Sequence, residues 1–193
     1  MPQRRLAEVN GEAIAEAADR LRPGVPPGAI RFATHDLSLG LPQFGDASVD
    51  GIVAGLAISY AESLDPETGT YTDVAYDRVL ADAFRVFEPG GRLVFSVNVP
   101  KPKFRKIFAR SLVSTLRAPH LRRVLYNAIR ILRYGRWLRR EADRGRFHFF
   151  AIDEIERRLR RAGFTEVAWC LSYADRAYVV SAEKLGRPAA KAA

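Results

Sequence analysis

The sequence predicts an α/β fold, and two observations carry that prediction. Candidate strands alternate with candidate helices along the chain, an order typical of a mostly parallel sheet with helices on both faces. The stretch VFEPGGRLVFSV at 86–97 also joins helically spaced apolar residues to a short apolar run suited to a buried strand. Between them, Pro89 stops the helix, and a following glycine can adopt the left-handed conformation that ends it. This pattern predicts a very short connection between a helix and the strand that follows it.

Each element follows from its local pattern. Strands are predicted at 4–9, 29–34, 48–57 (small or β-branched, hence buried), 92–98, 166–171 and 177–182. Helices are predicted at about 10–21, 73–88, 103–140 (interrupted near Pro119) and 152–164, the last with Asp153 near its start and Gly163 near its end. The short connection SYADR indicates that the last two strands form an antiparallel hairpin, with Cys170 in its core.

Composition indicates one domain with a sizeable core. The chain has 193 residues, of which 48% are hydrophobic. We expect a single domain over 1–183 and a disordered tail over 184–193. One cysteine allows no internal disulfide or cysteine metal cluster, and the three scattered histidines lack metal-motif spacing, so no metal is expected. Cysteine usage and the lack of an apolar signal core or membrane span favour the cytoplasm.

The positive charge belongs to one segment. Residues 101–146 contain fifteen Lys/Arg against two acidic residues, a net charge of +13, whereas the whole chain carries +9. The remainder is therefore slightly acidic, at −4. Any preference for an anionic partner is expected to come from this segment.

Five segments, in order, resemble class I S-adenosylmethionine-dependent methyltransferases of the small-molecule, methyltransferase type 11-like group. The segments are EVNGEAIAEA (8–17), THDLSLGLPQFGDASVDGIVAG (34–55), LAISYAE (56–62), RVFEPGGRLVFS (85–96) and AGFTEV (162–167). The segment at 34–55 resembles the family's "GD…LPF…D.SFD.V" region, and the segment at 85–96 resembles its "L.PGG" junction. The resemblance implies a Rossmann-like methyltransferase sheet ending in an antiparallel hairpin, with S-adenosylmethionine as cofactor.

Cofactor-binding residues carried over from this resemblance follow predicted strands. Glu8 would accept hydrogen bonds from the two ribose hydroxyls, since a carboxylate has two acceptor oxygens. Asp36 would accept the adenine amine, with the Leu37 backbone N–H facing a ring nitrogen. Leu56, at the end of the strand predicted at 48–57, is added to this set. The alternatives are a surface carboxylate for Glu8 and a loop-capping aspartate for Asp36.

On the acceptor side, the resemblance implies a pocket for a small or lipid-like molecule. Tyr60 and Tyr173 are the candidates for lining it, and Tyr60 is alternatively a core aromatic residue. His148, in RFHFF (146–150), is the candidate catalytic base, because a neutral imidazole can accept a proton at pH 7. Its alternative is a structural histidine in an aromatic cluster.

One family motif is missing. A strand ending in a glycine-rich loop should lie several tens of residues before Glu8, but only seven residues precede it, and no Gly-x-Gly occurs in the chain. The missing part includes the central strand of the family's sheet. We therefore expect a truncated methyltransferase, either a fragment or a shortened reading frame, with a degenerate methyltransferase as the alternative. Exposed strand edges would then allow oligomerisation.

The basic segment lies where the family often inserts a lid, here 101–147. Helical spacing places one apolar face on Leu121, Val124, Leu125, Ala128, Ile129 and Leu132. Three interpretations compete: a solvated lid, a lid that admits an anionic or lipid-like acceptor with peripheral membrane contact, and nucleic-acid binding, which no established motif supports. The alternative function is a non-catalytic interaction protein that binds nucleic acid or a membrane surface through this segment.

Overall fold

The computed structural model describes residues 35–100, 121–172 and 175–186. Contacts divide the chain into two units, Met1–Asp36 and Leu37–Ala193. The fold given below is that of the second unit. The strands predicted at 4–9 and 29–34, the helix at 10–21 and the first part of the basic segment lie outside the described residues.

The described chain contains three α-helices, four strands and two short 3-10 helices. In chain order they are a 3-10 helix at Leu37–Leu39, β1 (Val49–Gly55), a 3-10 helix at Ile58–Tyr60, α1 (Val74–Val86), β2 (Phe87–Asn98), α2 (Leu121–Asp143), α3 (Ile152–Ala162), β3 (Thr165–Ser172) and β4 (Ala177–Glu183). The elements predicted within these ranges are confirmed, with ends shifted by a few residues. None of the helices in the described ranges combines the length and hydropathy needed to cross a bilayer.

The four strands form one mixed sheet in the order β1-β2-β4-β3. β1 and β2 are parallel, with Ile52 opposite Leu93, whereas β4 runs antiparallel to both β2 and β3. The sequence predicted a mostly parallel sheet that ends in this antiparallel hairpin, and two of the strands expected in that sheet, at 4–9 and 29–34, lie outside the described residues. Connection length explains the directions that are described: α1 provides the crossover that the parallel pair β1 and β2 needs, whereas only four residues join β3 to β4.

The core lies between α1, α3 and one face of this sheet. Alternate residues of β2, Leu93, Phe95 and Val97, are fully buried on that face. The helices contribute apolar stripes at helical spacing. The buried cluster includes Tyr76, Val79, Leu80 and Ala83 of α1, Ile155 and Leu159 of α3, and Phe164, Val180 and Ala182.

Two residues expected in the core are exposed. Val53 of β1 is 84% exposed, and Cys170 of β3 is also exposed. Both lie on strands at the ends of the described strand order, where only one described neighbour covers them. An apolar run predicted the strand correctly at 48–57, but it could not give the strand's position in the sheet.

The Pro-Gly-Gly junction also differs from its prediction. α1 ends at Val86 because Phe87 already takes the extended conformation, with φ −68° and ψ 137°. The left-handed glycine, Gly90 with φ +90°, lies later, in an irregular stretch of β2 where the pairing with β1 shifts register. Gly90 N–H donates to the Lys184 carbonyl at 2.8 Å, and Lys184 N–H donates to Gly91 at 2.9 Å. The junction therefore pairs with the end of β4.

The end of α3 agrees with its predicted signal. Gly163 has φ +106°, and its N–H donates to the Arg160 and Leu159 carbonyls. A Cβ atom there would approach the Phe84 ring to 2.7 Å. The Phe84 ring also packs edge-on against Phe164, the next residue. A glycine is therefore required both by the backbone conformation and by the packing of α3 against α1.

We expect Gly163→Ala to lower the free energy of unfolding by about 1–3 kcal/mol, since the side chain would combine left-handed strain with a clash. Gly45→Ala is the matched control, because a Cβ at Gly45 meets no atom of the described part of the chain within 4 Å. Urea titration followed by circular dichroism measures both. Equal stability of the two variants would contradict this account of the α3 end.

Candidate functional site

The candidate site lies where the parallel strands β1 and β2 end. Ligands of α/β sheets bind beyond the carboxyl ends of parallel strands, where loops leave the sheet. Asn98 ends β2, and Tyr60 lies in the 3-10 helix that follows β1. Asn98 Nδ2 donates to Tyr60 Oη across 3.4 Å. Two polar groups, one from the end of β2 and one from the 3-10 helix after β1, therefore meet at this edge.

The backbone at the end of β1 has an unusual conformation. Leu56 adopts φ +54°, which costs a non-glycine residue about 1 kcal/mol or more. Its N–H donates to Ser96 Oγ on β2 at 3.0 Å, which holds this conformation. Gly55 is exposed, and a Cβ atom there would meet no atom of the described residues within 4 Å. The described chain thus presents bare backbone at the strand end.

An aromatic cluster covers the same edge. We use this name for Tyr60, Tyr134, Trp137, Phe147 and Phe149. Ring centroids of Tyr60 lie 5.0 Å from Phe147 and 5.8 Å from Phe149. Trp137 of α2 lies 5.9 Å from Phe147, and Tyr134 lies 5.6 Å from Trp137. The rings form an apolar wall in which the Tyr60 hydroxyl and the Asn98 amide are the polar groups described above.

Tyr60 stays protonated at neutral pH. Burial raises the pKa of Tyr60, and the nearby Tyr134 raises it further, while the Asn98 hydrogen bond opposes them. Because its oxygen accepts from Asn98, the phenolic hydrogen is left to donate elsewhere. Tyr60 can therefore orient a ligand by donating one hydrogen bond, and it is poorly suited to act as a base.

The segment Arg146–Phe150 divides its side chains between two environments. Phe147 and Phe149 contact Tyr60, whereas His148 and Phe150 contact Tyr76 of α1. This alternation is that of an extended chain, in which successive side chains point to opposite sides. His148 N–H donates to the Ser59 carbonyl at 2.9 Å and fixes the segment against the 3-10 helix.

His148 is on the core side of this segment. Its side chain is 2% exposed, its Nδ1 lies 3.3 Å from Asp73 Oδ1, and its ring stacks on Phe150. Burial lowers the pKa of His148, and the Asp73 carboxylate opposes that shift. The ring is therefore held neutral, but it faces away from the side occupied by Phe147 and Phe149. This placement favours the structural alternative over the role of a general base.

Sequence reasoning missed the ionic cluster beside His148. Arg158 of α3 is 9% exposed and pairs with Asp73, with Asp77 at 2.6 Å and with Glu154 at 2.6 Å. Its guanidinium also lies 4.3 Å from the centre of the Phe150 ring. The sequence signal that could have revealed this cluster was Arg158 itself, a basic residue next to Leu159 on the apolar face of α3.

A second ionic cluster anchors the end of α2 near the site. Arg146 pairs with Glu62 at 2.9 Å and with Glu141 at 3.2 Å, and Glu141 also pairs with Arg144. Glu141 is buried, although it lies in a strongly basic helix. These pairs connect α2 to the loop that follows Tyr60. The end of the helix that they hold is the part whose Tyr134 and Trp137 belong to the aromatic cluster.

The remaining predicted site residues are placed as follows. Asp36 is exposed and directly precedes the first 3-10 helix; Leu37 is half-buried against the core. Leu37 belongs to a segment held on α1 by the Arg78 side chain, which donates to the Ser38 carbonyl at 3.1 Å. Leu56 and Tyr60 lie together at the strand edge. Glu8 and Tyr173 are outside the described residues, and within the described ranges no group of three His, Cys, Asp or Glu residues could hold a metal.

Comparison with known proteins adds the fold class. No family model and no curated protein matches the chain. Among solved structures it is similar to a possible exported protein from Bordetella parapertussis (18% identity, TM-score 0.53, 89% of this chain and 50% of that one). It is also similar to an O-methyltransferase family protein from Burkholderia thailandensis (15% identity, TM-score 0.52, 92% of this chain and 41% of that one). A third similar structure is the CurJ carbon methyltransferase (12% identity, TM-score 0.53, 90% of this chain and 39% of that one).

The chain therefore has a methyltransferase fold, which agrees with the fold that the sequence resemblance implied. It spans half or less of the length of these three structures. At such low identity the similarity concerns the fold, and the chemistry has to be argued from the site.

We predict that Arg158→Met destabilises the protein by about 2–3 kcal/mol, because it leaves partly buried carboxylates uncompensated. Arg157→Met, one residue earlier, should cost less than about 0.5 kcal/mol, since the Arg157 side chain is 64% exposed and its pair with Glu154 is screened by solvent. Chemical denaturation at pH 7 measures both. Similar losses in the two variants would show that the Arg158 cluster is not an important contributor to stability.

His148 should make stability depend on pH in one direction. Its pKa is lowered in the folded state, so below the unfolded value of about 6.5 the unfolded chain binds more protons. The contribution of the neutral His148 ring to stability is present above that pH and is lost as the pH falls toward the pKa of His148 in the folded state. We expect the free energy of unfolding to fall less between pH 7.5 and 5 in His148→Phe than in the unmodified protein. An unchanged or steeper loss would contradict the buried neutral imidazole.

Proposed function

We propose that this chain carries the acceptor-side part of a methyltransferase site and that, with S-adenosylmethionine as cofactor, it serves methyl transfer to a small or lipid-like acceptor. The observation that carries the proposal is the aromatic cluster with Tyr60 and Asn98 at the carboxyl edge of the parallel pair in a methyltransferase fold. Because the chain spans half or less of the similar structures, the activity of the whole protein is part of the proposal.

The residues at the strand edge fit the chemistry of this cofactor. A nucleoside and an amino acid offer many hydrogen-bonding groups, and the open backbone at Gly55 and Leu56 suits their close approach. Asp36, with its carboxylate, is proposed to accept the adenine amine, Leu37 to donate its N–H, and Glu8 to hold the ribose. The cofactor supplies the activated methyl group, and the chain supplies position and exclusion of water.

The lining supports an apolar or lipid-like acceptor. Phe147 is nearly buried and Phe149 is half-buried beside Tyr60, so an acceptor at this edge would contact mainly aromatic carbon. The nearby carboxylates of Glu62 and Glu141 are engaged by Arg146 and do not offer a site for a cationic acceptor. The Tyr60 hydroxyl and the Asn98 amide would orient one polar group of the acceptor.

In this proposal His148 positions the aromatic wall. Its backbone N–H binds Ser59, and its ring packs with Tyr76 and Phe150, which fixes Phe147 and Phe149 toward Tyr60. Methyl transfer is accelerated mainly by proximity and alignment, so a rigid wall is a substantial contribution. The helix α2 would act as a lid, since Trp137 packs on Phe147.

Calorimetric titration of the full chain with S-adenosylhomocysteine tests the cofactor part of the proposal. We expect micromolar affinity that falls at least tenfold in Asp36→Ala, because an unpaired amine of the ligand costs about 1.4 kcal/mol or more. Asp50→Ala is the matched control, since Asp50 is an exposed carboxylate at the opposite end of β1.

A folded chain that shows no binding would overturn the proposal for this polypeptide and would favour the non-catalytic interaction protein. Equal affinity in the Asp36→Ala and Asp50→Ala variants would overturn the assignment of Asp36. Circular dichroism of each variant establishes that the fold is retained.

A further inference from the structure

The exposed part of α2 carries apolar side chains. Tyr126 is 66% exposed, Ile129 is 50% exposed, and Tyr134 and Trp137 are also exposed. Large apolar residues scattered singly on a surface need no explanation, but several on adjacent turns of one helix form a patch. The patch lies in the same helix that reaches the aromatic cluster through Trp137.

Arginines alternate with these apolar residues. Arg130, Arg133, Arg136, Arg139 and Arg140 are all exposed, and the helix contains no acidic residue before Glu141. The contrast with α3 is clear, because there Arg157 and Arg160 pair with Glu154 and Glu156 of their own helix. The charge of α2 is therefore not balanced within the helix.

Helical spacing brings the two sets of residues together on one side. We use the name basic-aromatic face for six residues of α2: Tyr126, Ile129, Arg130, Arg133, Trp137 and Arg140. Counted from Tyr126, the other five lie at i+3, i+4, i+7, i+11 and i+14, so all six fall within about a third of the helix circumference.

We propose that the basic-aromatic face docks on an anionic lipid surface. Arginine guanidinium groups match the geometry of lipid phosphates, tryptophan and tyrosine favour the headgroup region, and an exposed isoleucine gains free energy only where it leaves water. Charge complementarity therefore selects the sign of the surface, and the apolar residues select lipid over nucleic acid. Docking needs neither cofactor nor catalysis and so stands apart from the proposed function.

One consequence does rest on the proposed function. Trp137 on this face contacts Phe147, and Phe147 contacts Tyr60, so ring contacts run from the docking surface to the strand edge. An acceptor with an acyl chain could pass from the bilayer to the site along apolar surface. The docked lid would then supply the site with a lipid acceptor.

The docking test uses the full chain with Trp169→Phe, which leaves Trp137 as the single tryptophan. Trp169 is exposed and distant in sequence from α2, so this change should leave the face intact. The chain is titrated with vesicles of phosphatidylcholine alone and with vesicles that also contain 30% phosphatidylserine. We expect binding and a blue-shifted Trp137 emission with the anionic vesicles only, weakened by salt.

Matched variants separate this face from net charge. Arg130→Gln with Arg133→Gln should weaken vesicle binding about 30-fold, since each arginine near the surface contributes about fivefold. Arg160→Gln with Arg161→Gln removes the same charge from α3 and should change binding by less than about twofold. Ile129→Ser should weaken binding severalfold, and Leu171→Ser, at an exposed leucine of β3, should not.

Equal losses in the two arginine pairs, or equal binding to neutral vesicles, would overturn the proposal. So would single-stranded RNA binding that is tighter than vesicle binding and insensitive to Ile129→Ser, because that result would identify a nucleic-acid surface. No methyl donor is present in these titrations. A failure here leaves S-adenosylhomocysteine binding unaffected, so the two proposals fail separately.

Discussion

The packing of the described domain depends on the position of one buried cation. Arg158 is 9% exposed and meets carboxylates from both α1 and α3. Taking a guanidinium out of water is costly unless its hydrogen bonds are satisfied, and three carboxylates accept them here. The rings of Tyr76 and Phe150 also lie against the guanidinium. The same Asp73 carboxylate approaches His148, so the ionic cluster also holds the segment that carries the aromatic wall.

This arrangement couples stability to the geometry of the candidate site. His148 and Phe150 pack in the core, and their neighbours Phe147 and Phe149 face Tyr60. A disturbance on the core side would therefore shift the aromatic wall, without any change to a residue that touches a ligand. At the other end of the segment, Arg146 and Glu141 connect it to α2. Lid, wall and core are thus parts of one contiguous network.

Residues close in sequence were well predicted. The apolar spacing at 73–88 gave α1, Gly163 gave the end of α3, and the short connection after β3 gave an antiparallel hairpin. The Tyr60 position at a strand end also followed from local pattern, since a loop after a buried run is recognisable from sequence. The role of Arg158 did not follow, because its carboxylate partners Asp73 and Asp77 are more than eighty residues away along the chain.

The sequence by itself determined which stretches are helix or strand, and where the positive charge lies, because both depend on residues a few positions apart. Only the tertiary structure decided that β4 lies between β2 and β3, that Val53 and Cys170 are exposed, and that His148 faces the core. It also joined Tyr60, Trp137 and Phe147 in one wall. Strand order and side-chain environment come from contacts between distant segments, and local periodicity carries no information about which segments meet.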